Sequence, residues 1–163
     1  MARTIALALE RRSVILGDQE EQLYRLAFST VEKREFLKLV ALARWIDCLP
    51  GDVIVRQGQH IPDAIVLISG EIEAILGGKT IIAYRPGQLI GDVSAYSGLV
   101  APADVIARSH GTFAVWDLQH LREFTASRPE LRAKILQIVS ADLAAKLRDL
   151  IVSASGLAEQ EVA

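Results

Sequence analysis

Between Trp45 and Trp116 the chain is a succession of short apolar, β-branched segments separated by glycine- and proline-containing turns. The turns come about eight to twelve residues apart, a spacing typical of antiparallel sandwiches and barrels. Gly77-Gly78 lies between two such segments, where a tight hairpin needs the positive φ that glycine adopts. Eight strands in this order suit a jelly roll. They are predicted at Trp45–Leu49, Val53–Arg56, Ala64–Ser69, Glu71–Leu76, Thr80–Tyr84, Leu89–Asp92, Asp104–Arg108 and Thr112–Trp116.

Residues 1–44 are predicted to form a helical segment that leads into the barrel of residues 45–116. A short helix is expected within Met1–Leu16, as a docking or oligomerisation arm. Its apolar run is far shorter than the about 20 residues that cross a bilayer. Gly17-Asp18 opens a second helix with acids in its first turn, and Ser29-Thr30 caps a third that packs on the barrel.

Residues 117–153 return to helical periodicity. Leu118–Ser127 is predicted as one helix, which Arg128-Pro129 ends. Glu130–Ser153 is predicted as a long helix whose apolar stripe either packs on the chain's own barrel or joins two copies. Residues 154–163 are expected to form a flexible tail. The predicted fold class is α+β: an eight-stranded antiparallel jelly-roll β-barrel (double-stranded β-helix), flanked by N-terminal helices and a long C-terminal helix.

Length and charge limit the classes of function. The 163 residues suffice for one domain with some additional helix. A net charge of −2 gives this chain no electrostatic basis for binding nucleic acid. Cys48 is the single cysteine, which suits a reducing cytoplasm and is expected to be a buried small hydrophobe rather than a reactive thiol.

The histidines and serines of the sequence do not form a recognisable catalytic or metal-binding motif. Barrels of this kind also form metal-dependent cupin enzymes, which need two or three histidines and a carboxylate on one ion. His60 precedes a proline, His110 lies beside a glycine, and His120 lies on a helix outside the barrel. Ser94 and Ser97 have no histidine nearby and are expected to be cap or turn residues. We therefore expect no enzyme, no catalytic residue and no metal, with a cupin-like enzyme as the remote alternative.

The most specific segment is Pro86–Ala107, PGQLIGDVSAYSGLVAPADVIA. A Pro-Gly turn and a short strand lead to Gly91-Asp92, and a helical turn is predicted at Val93–Tyr96. A strand that ends in a glycine and an acid and then opens a helical turn can bind an anion or a ribose. The free N–H groups of the turn point outward, and the carboxylate accepts from a hydroxyl. The alternative is a tight glycine turn between two barrel strands.

This segment resembles the phosphate-binding cassette of the cyclic nucleotide-binding domain family, which includes the sensor domains of catabolite-activator-type regulators. The cassette reads aromatic-Gly-Glu-aliphatic-Ala, a short loop, Pro-Arg-small-Ala and a strand. Pro50–Gly58 and Ile65–Glu73 resemble the glycine-spaced opening and the next hairpin of the same family. The resemblance implies the family's jelly roll and a ligand site at the cassette-equivalent positions, which are Gly91, Asp92, Val93, Ser94, Ala101, Pro102 and Ala103.

The cassette also departs from the family's pattern. The family glutamate, which accepts from the ribose 2′-hydroxyl, is replaced by the shorter Asp92. The arginine that pairs with the cyclic phosphate falls on Ala101, and the next N–H donor falls on Pro102, which has none. Losing one charge-assisted partner costs about 1.5–3 kcal/mol, which is about tenfold to a hundredfold in affinity. We expect cAMP or cGMP to bind weakly or not at all, and no other cofactor.

The favoured hypothesis is a non-enzymatic regulatory module with a degenerate cassette. The alternative is a functional cyclic-nucleotide or related small-ligand sensor that uses Asp92 and a relocated basic residue, for which Arg85, Arg108 and Lys79 are the candidates. The resemblance implies a homodimer through the Glu130–Ser153 helix. It also implies no nucleic-acid partner for this chain, since the DNA-binding domain of catabolite-activator-type regulators is missing; the sequence indicates no protein partner.

A weaker resemblance concerns the segment before the barrel. Phe28–Trp45, FSTVEKREFLKLVALARW, is similar to the lead-in of Popeye-like proteins, which attach such a domain to membrane helices. Membrane attachment is therefore expected only if this chain is a fragment of a longer protein.

Overall fold

The computed structural model describes residues 16–91 and 97–162, with side chains described through residue 156. The helix expected within Met1–Leu16 lies outside these residues except for Leu16 itself. The helical turn expected at Val93–Tyr96 lies wholly outside them.

Eight strands form two four-stranded antiparallel sheets, in the orders β1-β8-β3-β6 and β2-β7-β4-β5. Each observed strand overlaps its predicted counterpart, and the predicted antiparallel jelly roll with flanking helices is confirmed. The strands are β1 (Arg44–Cys48), β2 (Val53–Val55), β3 (Asp63–Ser69), β4 (Ile72–Leu76), β5 (Lys79–Tyr84), β6 (Leu89–Ile90), β7 (Asp104–Ala107) and β8 (Gly111–Asp117).

The central strands of the first sheet are buried on both faces. In β3, Ile65 and Leu67 pack in the space between the two sheets, whereas Val66 and Ile68 pack against the helices. Alternation along a strand sends successive side chains to opposite faces, so a strand covered on both sides must be apolar throughout. This requirement explains the uninterrupted apolar run of β3.

Between residue 16 and the barrel, the chain forms two helices and a π-helical turn. Helix α1 spans Asp18–Leu23, the π-helical turn spans Tyr24–Phe28, and helix α2 spans Lys33–Val40. The predicted cap at Ser29-Thr30 is wrong, because α2 begins after Glu32. Ser29 and Thr30 instead lie in the turn that follows the π-helical segment.

Aromatic packing and one hydrogen bond fix these helices to the barrel. The Trp116 indole N–H, which is buried, donates to the Leu39 carbonyl at 2.9 Å. The Phe28 ring lies 5.7 Å from the Trp116 ring and 5.4 Å from the Phe36 ring, between centroids. The prediction that the helix before Trp45 packs on the barrel is thereby confirmed.

Two helices follow the barrel: α3 spans Leu118–Ala126 and α4 spans Pro129–Val162. The Asp117 carboxylate caps α3 by accepting from the His120 N–H at 2.9 Å. The predicted end of the long helix at Ser153 is wrong, because α4 continues through residues 154–162, where a flexible tail is expected from the sequence. Apart from Gly156, this stretch consists of residues that helices tolerate, and the Ser155 hydroxyl bonds back to the Ile151 carbonyl.

The barrel contains one backbone crossing that admits no side chain. Gly70 has φ +109°, and a Cβ there would lie 2.7 Å from both the Gly111 Cα and the His110 carbonyl oxygen. Gly51 has a similar φ of +90° but no atom within 4 Å of such a Cβ. The two glycines therefore separate the cost of a left-handed backbone from the cost of a steric overlap.

We predict that Gly70→Ala lowers the free energy of unfolding by about 3–5 kcal/mol, because backbone atoms cannot move aside. Gly51→Ala, the matched control, should cost only the about 1–2 kcal/mol of a left-handed alanine. Urea denaturation followed by circular dichroism measures both. Equal losses of unfolding free energy in the two variants would contradict a steric overlap at Gly70.

Candidate functional site

A cavity of about 420 Å³ lies between the inner face of the β2-β7-β4-β5 sheet and helix α4. Its wall is apolar almost throughout: aliphatic side chains come from four strands on one side and from leucines of α4 on the other. The residues that line it are Val55, Ile61, Ala74, Ile81, Ile82, Tyr84, Gly91, Ala101, Pro102, Ala103, Val105, Leu143, Lys146, Leu147 and Leu150.

Four of the seven cassette-equivalent residues meet at this cavity. Gly91, Ala101, Pro102 and Ala103 all line it, so the two ends of the cassette lie on one wall, as the resemblance implies. Asp92, Val93 and Ser94 lie outside the described residues. Ala101 and Ala103 are buried at 3% and 4% exposure, which leaves no polar side-chain atom on this part of the wall.

The backbone at Ala101 and Pro102 offers no donor to a ligand. The Ala101 N–H donates to the Gln59 carbonyl at 2.8 Å, and the Ala101 carbonyl accepts from the Gly58 N–H at 2.8 Å. Pro102 has no N–H. Where the family resemblance places an arginine and a backbone donor, this wall therefore presents a methyl group and a pyrrolidine ring.

Gly91 is favoured by its backbone conformation, and its lack of a side chain leaves room for a neighbouring residue. Its φ is +72°, and a Cβ there would overlap the Ile61 side chain. Ile61 itself lines the cavity. The glycine that begins the cassette thus lets an isoleucine approach the backbone.

One charged side chain, Lys146, lines the cavity among the described residues. It is 5% exposed, and its Nζ lies 2.7 Å from Asp142 Oδ2, one helical turn earlier on α4. Lys146 Nζ also donates to the Leu89 carbonyl, and the Leu89 N–H donates to Asp142 Oδ1 at 3.4 Å. The Tyr84 ring centroid lies 5.2 Å from the same ammonium, in the range of a cation–π contact.

This pair holds α4 to the edge of the first sheet. β6 is the last strand in the order β1-β8-β3-β6, and Leu89 is its first residue. A sheet edge presents backbone N–H and C=O groups that need partners. Asp142 binds the N–H and Lys146 binds the carbonyl, so we call Asp142, Lys146 and Leu89 the edge clamp.

The three basic residues considered from the sequence are elsewhere. Arg85 pairs with Asp149 at 2.6 Å, and Arg108 pairs with Glu73 at 2.8 Å, both on exposed surface. Lys79 lies at the β4–β5 hairpin, opposite Leu76. None of the three is among the residues that line the cavity.

Sequence reasoning missed Lys146. The available signal was its position between Leu143 and Leu147 on the apolar stripe of the long helix, where a charged residue is out of pattern. A lysine within an apolar stripe is either solvated at its edge or buried with a partner. Asp142, four residues earlier, is the partner that helical spacing places beside it.

Outside the cavity, the remaining candidate residues hold structural positions. Cys48 is 3% exposed, and burial, together with the nearby Asp52 and Asp47 carboxylates, raises the pKa of its thiol. The Ser97 hydroxyl accepts from the Leu99 N–H at 3.3 Å, as a turn residue does. Within residues 16–91 and 97–162, no group of three or more His, Cys, Asp or Glu residues is arranged to hold a metal ion.

The family model of the cyclic nucleotide-binding domain matches residues 46–128, just over half of the chain. The chain therefore belongs to the cyclic nucleotide-binding domain family, whose members are mainly regulatory domains. No curated protein matches the sequence significantly. In the part of the chain that the structure describes, no helix has the length and apolar character needed to cross a membrane.

Solved structures share the fold at low sequence identity. A cyclic nucleotide-binding domain from Methylobacillus flagellatus has 20% identity and a TM-score of 0.73, over 80% of this chain and 79% of that one. A putative cyclic nucleotide-binding protein from Geobacter metallireducens has 17% identity and a TM-score of 0.68, over 82% and 99%. The c-di-GMP-responsive global regulator CLP of Xanthomonas campestris has 16% identity and a TM-score of 0.68, over 78% and 65%.

We predict that Lys146→Met lowers the free energy of unfolding by about 3–5 kcal/mol, because it leaves the Asp142 carboxylate buried without its counter-charge. Replacing both residues, as Asp142→Leu with Lys146→Met, should cost less than the single change, since no buried charge then remains. Chemical denaturation measures both variants.

The control is Lys134→Met on the same helix, which removes an exposed hydrogen bond of 2.6 Å to the Thr30 carbonyl and should cost about 1 kcal/mol or less. The edge clamp would be contradicted if Lys146→Met were no more destabilising than this control.

Proposed function

We propose that this chain is a non-enzymatic regulatory module of the cyclic nucleotide-binding type whose cavity binds cAMP and cGMP weakly or not at all. The observation that carries the proposal is the wall at Ala101–Pro102, which offers a ligand neither a charge nor a free N–H. The family fold supports the regulatory role, and the composition of the cavity supports the loss of nucleotide binding.

The electrostatics of the cavity also disfavour nucleotide binding. A cyclic phosphate that enters an apolar cavity loses its hydration and needs a counter-charge in return. Lys146, the charged side chain that lines this cavity among residues 16–91 and 97–156, already has Asp142 at 2.7 Å. A phosphate that drew Lys146 away would leave the Asp142 carboxylate buried without it. Nucleotide binding would therefore disrupt one buried ion pair to form another.

We predict that Ala101→Arg increases affinity for cAMP by about tenfold or more, because it restores one charge-assisted partner for the phosphate. Titration calorimetry compares it with the wild type, for which we expect no saturable binding at micromolar nucleotide. Leu99→Arg is the matched control: it adds the same charge two residues away, on a side chain 63% exposed, and should not increase affinity.

Pro102→Ala is the second variant, which restores a backbone N–H without adding charge. It tests the same wall for nucleotide affinity if Ala101→Arg does not fold. Micromolar binding by the wild type would refute the proposal. It would favour the alternative, a functional sensor, and binding that Lys146→Met then abolished would identify Lys146 as the relocated cation.

We also propose that two copies of the chain pair along α4. Leu136, Leu143, Leu147 and Ile151 follow one another at seven-, four- and four-residue steps, close to the heptad spacing by which a helix meets a second helix. All four side chains are at least 40% exposed, and Leu136 and Ile151 do not line the cavity. A second copy of α4 carries the same seam and is self-complementary to it.

We predict that replacing Leu136 and Ile151 together by aspartate converts a dimer into a monomer, because like charges would face each other across an apolar seam. Size-exclusion chromatography with light scattering measures the mass. Leu42→Asp, also on an exposed leucine but after α2, is the control and should remain dimeric. A wild-type chain that is monomeric at high micromolar concentration would contradict the pairing.

A further inference from the structure

We propose that the cavity between the β2-β7-β4-β5 sheet and α4 is a binding site for an uncharged, mainly aliphatic small molecule. This inference rests on the proposed function, because it assigns a ligand class to the cavity that we propose has lost its nucleotide. It is argued from the size of the cavity, the chemistry of its wall and the balance of charge within it.

The size fits a small organic ligand. A volume of about 420 Å³ falls within the roughly 300–1,000 Å³ of pockets that bury drug-sized molecules. The leucines of α4 that line the cavity are 37–58% exposed, so an apolar occupant would remove their apolar surface from water and supply packing partners. Large apolar cavities also hold water poorly, because water needs two to four polar partners there.

The wall offers contacts to aliphatic groups and few to polar ones. Val55, Ile82 and Val105 line it from the strands, while Leu143, Leu147 and Leu150 line it from α4. The Ala101 N–H, a backbone donor on this wall, is taken by the Gln59 carbonyl. A ligand with many hydrogen-bonding groups would lose its water without replacement partners.

The charges within the cavity favour an uncharged ligand over an anionic one. The positive Lys146 and the negative Asp142 lie 2.7 Å apart, and both also bind Leu89, so the pair is neutral and each member has a partner. Tyr84 faces the ammonium with its ring rather than with a charge. An anion would have to compete with Asp142 for Lys146, whereas an uncharged ligand leaves the edge clamp intact.

An occupant would touch both the barrel and α4. Since the leucines of α4 form one wall, a ligand that fills the cavity adds contacts between the helix and the sheet. It therefore stabilises the folded chain by an amount that grows with the logarithm of its concentration relative to its dissociation constant. Ligand binding should therefore be measurable as an increase in the stability of the folded chain.

The test compares 1-octanol with octanoate, which share a chain length and differ in charge, and includes cAMP as a separate arm. Titration calorimetry and thermal unfolding of the full chain should show saturable binding of octanol and a raised melting temperature. Octanoate should bind roughly tenfold more weakly or worse, a difference of about 1.4 kcal/mol.

Two variants locate the site. Ala103→Phe fills the cavity from a side chain 4% exposed, and should weaken octanol binding by about tenfold or more. Ala74→Leu, 3% exposed on β4, does so with a smaller side chain if the phenylalanine prevents folding. Ala41→Phe, on the exposed turn after α2, is the control and should bind octanol as the wild type does.

The outcomes separate this inference from the proposed function. Octanol that fails to bind, or that binds Ala103→Phe and Ala74→Leu unchanged, overturns the apolar site, while an absence of cAMP binding would leave the proposed function standing. Octanoate that binds more tightly than octanol also overturns it, since Lys146 would then be recruiting an anion. Micromolar cAMP binding would instead refute the proposed function.

Discussion

Two charged side chains of α4 bind one residue at a sheet edge, and apolar side chains from the first half of the helix pack on the barrel core. Leu89 exposes its N–H and carbonyl on the outer side of β6, and Asp142 and Lys146 of α4 bind both. A buried charge pair stabilises little by itself, but removing one member leaves the other without compensation. The clamp therefore mainly fixes the position of α4 along β6. If the helix shifted along this edge, the two side chains would lose their hydrogen bonds to the Leu89 backbone.

That geometry creates the cavity. With α4 fixed at Leu89, its leucines at positions 143, 147 and 150 lie opposite the inner face of the second sheet. Gly91, where the cassette begins, is two residues after Leu89 in the chain. The clamp thus ties the helix to the strand that leads into the cassette-equivalent segment.

The fold could be predicted because its determinants are local. Gly77-Gly78 marks a hairpin, and the apolar run of β3 marks a strand that is covered on both faces. The ends of helices were harder to predict. The turn at Ser29-Thr30 looks like a helix cap, yet the chain forms a π-helical turn just before it, and the small residues after Ser153 extend α4 rather than fray.

The site was predictable only in part, for a similar reason. Its position follows from spacing in the chain, and Ala101 and Ala103, at cassette-equivalent positions, both line the cavity. The basic residue at the cavity does not follow from spacing, because α4 brings Lys146 there from 39 residues beyond the end of the Pro86–Ala107 segment. Arg85 and Arg108 are near the cassette in sequence, but acids on neighbouring elements hold both at the surface.

The most direct test of the proposed loss of nucleotide binding is a crystal structure of the chain grown with excess cAMP. We predict that Lys146 still bonds the Leu89 carbonyl and that the cavity beside Ala101 contains no nucleotide. A cyclic nucleotide seated there, with its phosphate neutralised by Lys146 or another basic side chain, would contradict the central claim.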